Sequence, residues 1–388
     1  MIHITKTMKI VLISTLVAFA VCFLALGVSL AVDIIGNGND AVDMGGSGGG
    51  GGGKPSSQQP SVPTGNVTPT AGNKTGIKLP SATPAGDYLG VSDSSSQDVS
   101  GDTDIKSGAI VLVDTVDGKV VAGKNWDERV YPASMTKVMT LLVACENAKD
   151  PNALLTVTQA MADEYKKPAN QGASIANPWK AGDQVTVEDA LHLVIYESDT
   201  FACWLLAEYV AGSEAQFVQL MNQKASSMGL TNTRFSNCTG LFNANHYTTC
   251  REMAAIMAAA MNNEAASAVL SRTSLYSVDV YTNGEMTGSV DMYSGWYTGR
   301  LEKYKLSGVA PYYVGGGSDI MLVGGKTGYE DVPRYCYVTA GQDDATGRTY
   351  VCVQVGRLTD GAEPVGEQQS TNDTRTIYRK YAKNKEPI

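Results

Sequence analysis

The chain has 388 residues, enough for one large domain or two of ordinary size. It carries a formal net charge of −9 and no strongly basic region, so we predict no nucleic-acid partner. The average composition conceals a division, because an apolar run and a low-complexity region precede a stretch with the mixed composition of a globular protein.

An uncharged apolar run occupies residues 10–32, and its length of about 23 residues matches the roughly 20 that span a bilayer. Lys6 and Lys9 precede the run and aspartates follow it, a pattern that places residues 1–9 in the cytoplasm and the remainder outside. We therefore predict a transmembrane anchor with an extracytoplasmic domain. Ser29-Leu30-Ala31 has the small residues of a signal-peptidase site, so the alternative is a cleaved signal and a secreted protein.

A low-complexity region rich in Gly, Ser, Pro, Asn and Thr follows over residues 33–103. Such a composition cannot bury enough apolar surface to fold, so we predict a disordered linker. A flexible coil of about 65 residues spans roughly 45 Å, which suits a tether between a membrane and a domain. A spacer with no length requirement is equally compatible. The globular domain is then predicted to run over residues 104–388.

The predicted elements of this domain begin and end with strands. A β-branched run over 107–114, a turn and a second run at 120–122 predict a strand pair. Helical spacing occupies the middle of the domain, over 187–210, 214–228 and 251–261. The last third has strand-like runs at 320–323, 335–340 and 348–355, a turn at 343–347 and a short basic helix at 371–383. This order predicts an α+β fold in which an antiparallel sheet is flanked by a helical subdomain.

Six cysteines lie in the predicted domain, and an even number outside the membrane allows disulfide bonds. A hairpin centred near Asp344 is expected to place Cys336 opposite Cys352, and Cys238 and Cys250 bracket a short loop. Disulfide pairing and buried free thiols are equal alternatives here, and the pairing of Cys145 and Cys203 is also open.

Ser134 and Lys137 stand three positions apart, just after Tyr131-Pro132-Ala133. Proline is favoured in the first turn of a helix and an apolar run continues it, so the two side chains are predicted to share one helical face. The positive end of the helix favours a developing oxyanion and disfavours a protonated lysine. A neutral lysine beside a serine makes a nucleophile without histidine, although the S-x-x-K spacing by itself is common by chance.

Two further groups have the chemistry of an acyl-transfer site. Lys326-Thr327-Gly328 follows an apolar strand, where a glycine lets a substrate approach the strand edge and the lysine and threonine are able to bind a carboxylate. Glu197-Ser198-Asp199-Thr200 follows a helical run and places Ser198 at a potential cleft. Alone, the first is also compatible with a strand-end turn and the second with a helix–helix connection.

The remaining catalytic chemistries have little support in the sequence. His192 lies in an apolar helical stretch and His246 in a polar loop, and we assign both of them structural roles. No H-x-x-x-H, C-x-x-C or paired-carboxylate spacing indicates a metal site, and we predict no cofactor. A serine–lysine mechanism therefore gains support by elimination.

The ordered set of S-x-x-K, a serine-led triplet and K-T-G resembles that of penicillin-binding proteins and class A β-lactamases. The chain is most similar to the low-molecular-mass D-alanyl-D-alanine carboxypeptidases, from about Ser107 to Tyr381. The motifs that carry the resemblance are Tyr131-Pro-Ala-Ser-Met-Thr-Lys137, Ala181-Gly-Asp-Gln-Val-Thr-Val-Glu-Asp-Ala190, Thr239-Gly-Leu241 with His246-Tyr-Thr-Thr249, and Gly324-Gly-Lys-Thr-Gly-Tyr329. It implies the β-lactamase/transpeptidase-like fold.

The resemblance also implies a role for each site residue. Ser134 attacks the carbonyl between the two D-alanines of a peptidoglycan stem peptide, and Lys137 takes its proton. Ser198 relays a proton to the leaving D-alanine. Lys326 and Thr327 of the Lys326-Thr327-Gly328 motif hold the terminal carboxylate, and the charge of Lys326 helps to keep Lys137 neutral. The N–H groups of Ser134 and Tyr329 form the oxyanion hole. β-Lactams are the expected inhibitors because they mimic the D-Ala-D-Ala end.

Three departures from the family pattern accompany this resemblance. Thr200 stands where the triplet usually ends in asparagine, and loss of one preorganised polar contact costs about 1–4 kcal/mol of transition-state stabilisation. The chain ends soon after its last strands, without the C-terminal β domain of many members. The supporting arginine of relatives has only Arg357 as a weak counterpart.

Two other functions are compatible with these motifs. A class A β-lactamase needs a deacylating glutamate after the triplet, and residues 231–242 contain none. A non-catalytic cell-wall or β-lactam sensor is the other alternative, with Thr200 as its sign. The four intact residues Ser134, Lys137, Ser198 and Lys326 favour the enzyme.

Overall fold

The computed structural model describes residues 76–170, 172–272, 275–292, 313–314, 318–356 and 365–382. These residues all belong to the larger of two compact units, which begins at Gly65. The predicted anchor at 10–32 and the first part of the predicted linker lie outside the described residues. Within the described ranges, no helix combines the length and the apolar character needed to cross a membrane.

The described chain alternates between a main sheet and a helical region. Its strands are β1 (Gln97–Asp98), β2 (Ala109–Asp114), β3 (Lys119–Lys124), β4 (Leu154–Thr156), β5 (Asp183–Thr186), β6 (Tyr276–Thr282), β7 (Glu285–Met292), β8 (Ile320–Glu330), β9 (Arg334–Asp343) and β10 (Thr349–Val355). Its α-helices are α1 (Thr136–Asn147), α2 (Gln159–Tyr165), α3 (Val187–Tyr196), α4 (Thr200–Ala211), α5 (Glu214–Ser227), α6 (Cys250–Asn262), α7 (Glu264–Ser271) and α8 (Glu367–Tyr381). Short 3₁₀ helices cover Ala133–Met135 and Pro168–Asn170.

The main sheet has the strand order β1-β3-β2-β10-β9-β8. Its pairs are antiparallel except for the short parallel pair of β1 and β3. A smaller sheet has the order β4-β5-β6-β7 and accompanies the helices in the middle of the chain. This mixed arrangement confirms the predicted α+β class.

The two faces of the main sheet are covered by different helices. Alternating side chains of β2 separate to the two faces, with Val111 in the core that contains α1 and α6 and Leu112 in the core that contains α8. Ile377 and Tyr378 of α8 complete the second, smaller core. The sheet is therefore a middle layer between helices, and its long strand β8 lies at one edge.

The predicted start of the globular domain at residue 104 is wrong, because residues 76–103 pack against it. Ile77 is buried in the larger core, and the Ser81 N–H donates to the carbonyl of Cys145 at 2.8 Å. Residues 97–98 add the short strand β1 to the main sheet. We call residues 76–103 the strap. Its low apolar content does not predict that it is folded, because the strap has no core of its own and is held by a few buried side chains and backbone hydrogen bonds.

The predicted placement of Cys336 opposite Cys352 is also wrong. Cys336 pairs in register with Val355, whereas Cys352 pairs with Thr339. A shift of three residues is odd, so the two thiols lie on opposite faces of the sheet, one in each core. All six cysteines of the described region are buried free thiols, which decides the open alternative for Cys238 and Cys250 as well.

Candidate active site

Ser134 and Lys137 face each other at the start of α1. The expected helix begins as a 3₁₀ turn over Ala133–Met135 and becomes α-helical at Thr136. Lys137 Nζ lies 3.1 Å from Ser134 Oγ and donates to the carbonyl oxygen of Thr239 at 2.5 Å. Ala133 has a positive φ of 47°, a conformation that costs a non-glycine residue about 1 kcal/mol or more and persists where the surroundings impose it.

Burial governs the protonation of Lys137. The residue is 2% exposed, and loss of solvation is the largest cause that lowers its pKa. The buried thiols of Cys203 and Cys238 and the carboxyl group of Asp199 act in the opposite direction. The like-charge effect of Lys326 that the resemblance implied stays a prediction. A less basic lysine is suited to accept the proton of Ser134.

A second serine–lysine pair comes from two distant segments. Lys326 Nζ on β8 lies 3.2 Å from Ser198 Oγ and donates to the carbonyl oxygen of Thr327 at 2.8 Å. Ser198 connects α3 to α4 with a positive φ of 57°. Glu197 stands beside it, and burial raises the pKa of its carboxyl group.

Asp199 fixes the connection that carries Ser198. One carboxylate oxygen accepts from the Ala202 N–H at 2.8 Å and caps α4, as aspartate commonly does. The other oxygen accepts from the Ala176 N–H at 2.6 Å and from Trp179 Nε1 at 2.8 Å. Thr200 is buried at the first position of α4, and its N–H donates to the carbonyl of Ser174 at 2.9 Å.

Strand β8 brings the two pairs together. Lys326 and Gly328 lie on the same face of the strand, because side chains alternate along it. A Cβ atom on Gly328 would lie 3.1 Å from the backbone nitrogen of Ser134 and 2.7 Å from Cys336 Sγ. The missing side chain therefore lets the strand pass beside Ser134. The next residue is Tyr329, which is 46% exposed. The role of its N–H group in an oxyanion hole stays a prediction.

The loop that carries Thr239 packs against the start of α1. Gly240 has a φ of 85°, and a Cβ atom there would lie 2.0 Å from the carbonyl oxygen of Ala133. Thr140 Oγ1 donates to the Cys238 carbonyl at 2.7 Å, and Lys137 contacts the next carbonyl. The Thr239-Gly-Leu241 motif is the signal that could have identified this contact.

The histidines lie outside this arrangement of groups. His246 accepts at Nδ1 from the Ser236 N–H at 3.2 Å, so its Nε2 carries the proton and donates to Thr136 Oγ1 at 2.8 Å. His192 is buried and stacks on Tyr276 at 3.8 Å. Both contacts are structural. In the described part of the chain, no group of three or more His, Cys, Asp or Glu residues is placed to hold a metal ion.

The sequence model of the Peptidase_S11 family, described as D-alanyl-D-alanine carboxypeptidase, matches residues 94–305. The chain belongs to this family. The match begins before β2 and includes Ser134, Lys137 and Ser198, whereas Lys326 lies beyond it.

Curated relatives in this family share a shorter segment. The chain is 41% identical over 149 residues to D-alanyl-D-alanine carboxypeptidase DacC of Escherichia coli, covering 38% of this chain and 37% of that protein. It is 37% identical over 144 residues to D-alanyl-D-alanine carboxypeptidase DacF of Bacillus subtilis, covering 37% and 36%. The alignments thus span little more than a third of these relatives.

Solved structures extend the similarity over the fold. The Streptomyces K15 DD-transpeptidase has a TM-score of 0.58 and 24% identity, with coverage of 71% of this chain and 97% of that one. The likeness at this identity establishes the fold of the Peptidase_S11 chain.

The structure groups the predicted site residues around one end of β8. Ser134 contacts Lys137, Ser198 contacts Lys326, and Gly328 lies against the backbone of Ser134. Thr327 and Tyr329 flank that glycine. The remaining predicted residue, Thr200, lies two positions after Ser198. The weak candidate Arg357 lies outside the described residues.

Proposed function

We propose that this protein is a serine-type D,D-carboxypeptidase that removes the terminal D-alanine from peptidoglycan pentapeptide stems. The observation that carries the proposal is the 3.1 Å contact between Ser134 Oγ and the buried amine of Lys137, joined through β8 to the second pair of Ser198 and Lys326. One pair supplies a nucleophile and its base, and the other supplies a proton relay and a cation for a carboxylate.

Acylation begins when Lys137 accepts the hydroxyl proton as Ser134 Oγ attacks the carbonyl carbon between the two D-alanines. The N–H groups of Ser134 and Tyr329 stabilise the oxyanion that forms. Lys326 and Thr327 hold the terminal carboxylate. A proton passes through Ser198 to the leaving nitrogen, the peptide bond breaks, and D-alanine departs. The shortened stem remains as an ester on Ser134.

Deacylation reverses these roles with water as the nucleophile. Lys137 lies beside the ester oxygen and takes a proton from the incoming water, and Ser134 Oγ recovers a proton when the ester bond breaks. The products are a tetrapeptide stem and the free enzyme. β-Lactams would acylate Ser134 by the same first step, since their carboxylate reaches Lys326 and Thr327 and their ring carbonyl reaches the oxyanion hole.

The predicted anchor supports an extracytoplasmic location at the cell membrane. Residues 10–32 hold the chain in the bilayer, residues 1–9 stay inside, and the linker carries the domain towards the wall. The docked strap shortens the tether to residues 33–75, because residues 76–103 belong to the domain. By removing the donor D-alanine, the enzyme limits crosslinking during wall synthesis and remodelling.

Two assays on the full-length protein in neutral detergent test this function. Incubation with a pentapeptide stem should release D-alanine, and a fluorescent penicillin should label Ser134. Ser134→Ala should abolish both signals, and Ser236→Ala serves as a matched serine control outside the site. No release together with no label would overturn the proposal. Label without release would favour the β-lactam sensor, and rapid penicillin turnover would favour the β-lactamase.

A further inference from the structure

A second polar cleft lies on the side of the main sheet that α8 covers. It encloses about 340 Å³ between α8 and the segment before β2, and we call it the α8 cleft. Its lining residues are Thr103, Asp104, Lys106, Gln369, Asn372, Arg375, Thr376 and Arg379. Ile377 and Tyr378 of the same helix pack into the smaller core, so the cleft lies on the opposite side of the sheet from α1 and Ser134.

Two arginines of this cleft lie one helical turn apart without neutralising partners. Arg375 Nε donates to the carbonyl of Val314 at 3.0 Å. Arg379 Nε is shielded from solvent and has no hydrogen-bond partner among the described residues. Neither arginine forms an ion pair in the described part of the chain. Like charges at this spacing destabilise a helix.

The electrostatics of Arg375 agree with this geometry. Burial is the first cause that lowers the pKa of its guanidinium, and the charge of Arg379 is the second. A carboxylate does not offset either effect. Two partly buried like charges therefore oppose each other, and an anion placed between them would relieve the opposition.

The carboxylates near the cleft have other partners. Lys380 Nζ lies 2.8 Å from Asp102 Oδ1 and 2.8 Å from Asp104 Oδ2. Asp373 accepts hydrogen bonds from the N–H groups of Lys106 and Ser107 at 3.0 and 2.6 Å. The lining of the cleft therefore has three cationic side chains and one carboxylate, that of Asp104, which shares Lys380 with Asp102.

We propose that the α8 cleft binds a phosphate group, held by Arg375, Arg379 and Lys106. A phosphate oxyanion has several strong acceptors, and guanidinium groups match its geometry with paired N–H donors. One carboxylate would satisfy a single arginine, whereas two arginines and a lysine suit an ion with more charge and more acceptor oxygens. Asn372 and the hydroxyl groups of Thr103 and Thr376 add neutral donors at the cleft wall.

Calorimetric titration of the full-length protein in neutral detergent with sodium phosphate tests the site. Sodium chloride at matched ionic strength controls for general screening. The double variant Arg375→Gln/Arg379→Gln should weaken phosphate binding about tenfold or more, because it removes two charge-assisted contacts. Arg129→Gln/Arg234→Gln is the matched control, since it removes two arginines from a different surface and should leave binding unchanged.

A lysine double variant and penicillin labelling are the further controls for the loss of phosphate binding. Arg375→Lys/Arg379→Lys keeps the charge and loses the paired donors, so it should bind with an affinity between wild type and the glutamine variant. Penicillin labelling of Ser134 should be equal in all of these proteins, which checks that each one is folded. Equal heats from phosphate and chloride, or equal weakening in the control pair, would overturn the proposal.

Two further ligands distinguish a soluble or polymeric phosphate ester from a lipid headgroup as the source of the phosphate group. Glycerol 3-phosphate tests a soluble or polymeric phosphate ester. Flotation with vesicles of phosphatidylglycerol and phosphatidylcholine, compared with phosphatidylcholine alone, tests a lipid headgroup. Arginine-dependent binding of either ligand supports the phosphate site and assigns its source. Failure of phosphate, glycerol 3-phosphate and anionic vesicles to bind would refute it.

Discussion

The two serine–lysine pairs of the site have nearly the same distance between hydroxyl and amine, but very different separations in sequence. Ser134 and Lys137 lie 3.1 Å apart within one turn of chain, whereas Ser198 and Lys326 lie 3.2 Å apart across 128 positions. Lys137 is held by a backbone carbonyl on a loop, and Lys326 by the carbonyl of its own neighbour on β8. Similar geometry thus results from local helix formation in one pair and from tertiary packing in the other.

This difference suits the two pairs to different work. Burial lowers the pKa of Lys137, so its amine is prepared to accept a proton. Lys326 is equally buried, at 2% exposed, but it contacts the Ser198 hydroxyl beside Thr327, where the proposed mechanism places the carboxylate of the substrate. We expect the first pair to be sensitive to the protonation of its lysine and the second to the charge of its substrate.

The largest expected effect comes from Lys137→Arg, because a guanidinium stays protonated and cannot act as the base. The rate constant for acylation by benzylpenicillin should fall by about 10³-fold, within the range for loss of a general base. In the wild type, the rate should rise with pH as Lys137 loses its proton, and the variant should lack this dependence.

Lys224→Arg is the matched control for Lys137→Arg. Lys224 forms an ion pair of 2.5 Å with Glu146 outside the site, so its replacement should leave acylation unchanged. Retention of more than a tenth of the wild-type rate by Lys137→Arg would show that another group takes the proton of Ser134.

The contrast between the pairs also explains what sequence could predict. The local spacing of Ser134 and Lys137 predicted their contact, and motif order associated Ser198 with Lys326. The carbonyl of Thr239 escaped prediction because a backbone contact to Lys137 depends on how a loop folds across 102 positions. The pairing register of Cys336 was not predictable because turn residues do not specify how the strands of the hairpin pair beyond the turn.

The second prediction concerns His246, which donates a hydrogen bond to Thr136 in the turn between Ser134 and Lys137. Burial lowers its pKa from 6.5 to about 4. Between pH 6.5 and 4, His246 is protonated in the unfolded chain and neutral in the folded chain. The free energy of unfolding should therefore fall as pH decreases from 6.5 towards 4, by about 3 kcal/mol from this group.

Urea unfolding of wild type and His246→Gln at both ends of that pH range measures this effect. Carboxyl groups titrate in both proteins, so the difference between their pH slopes isolates the histidine. The variant should lose less stability on acidification, although it starts lower if the contact with Thr136 weakens. Parallel slopes would show that His246 takes up its proton in the folded protein at the ordinary pH.

A third prediction tests the second pair through Lys326→Gln. Loss of a charged contact to the substrate carboxylate should lower kcat/KM for a pentapeptide stem by about 10- to 100-fold. The same stem with a C-terminal amide lacks that carboxylate, so its lower kcat/KM should change much less. An equal decrease for both substrates would mean that Lys326 serves the proton relay through Ser198 rather than the carboxylate.

The smallest expected effect belongs to Thr200→Asn, which changes the neighbourhood of the second pair without touching either lysine. Thr200 is buried at the start of α4, in a segment that Asp199 fixes through three hydrogen bonds. Asparagine has nearly the same volume and adds an amide that both donates and accepts. The backbone contact from residue 200 to Ser174 does not depend on the side chain. We therefore expect the fold to persist and acylation by benzylpenicillin to accelerate several-fold. An unchanged or slower rate, with normal thermal stability, would indicate that this site has adapted to threonine and that the asparagine of relatives is not a missing part.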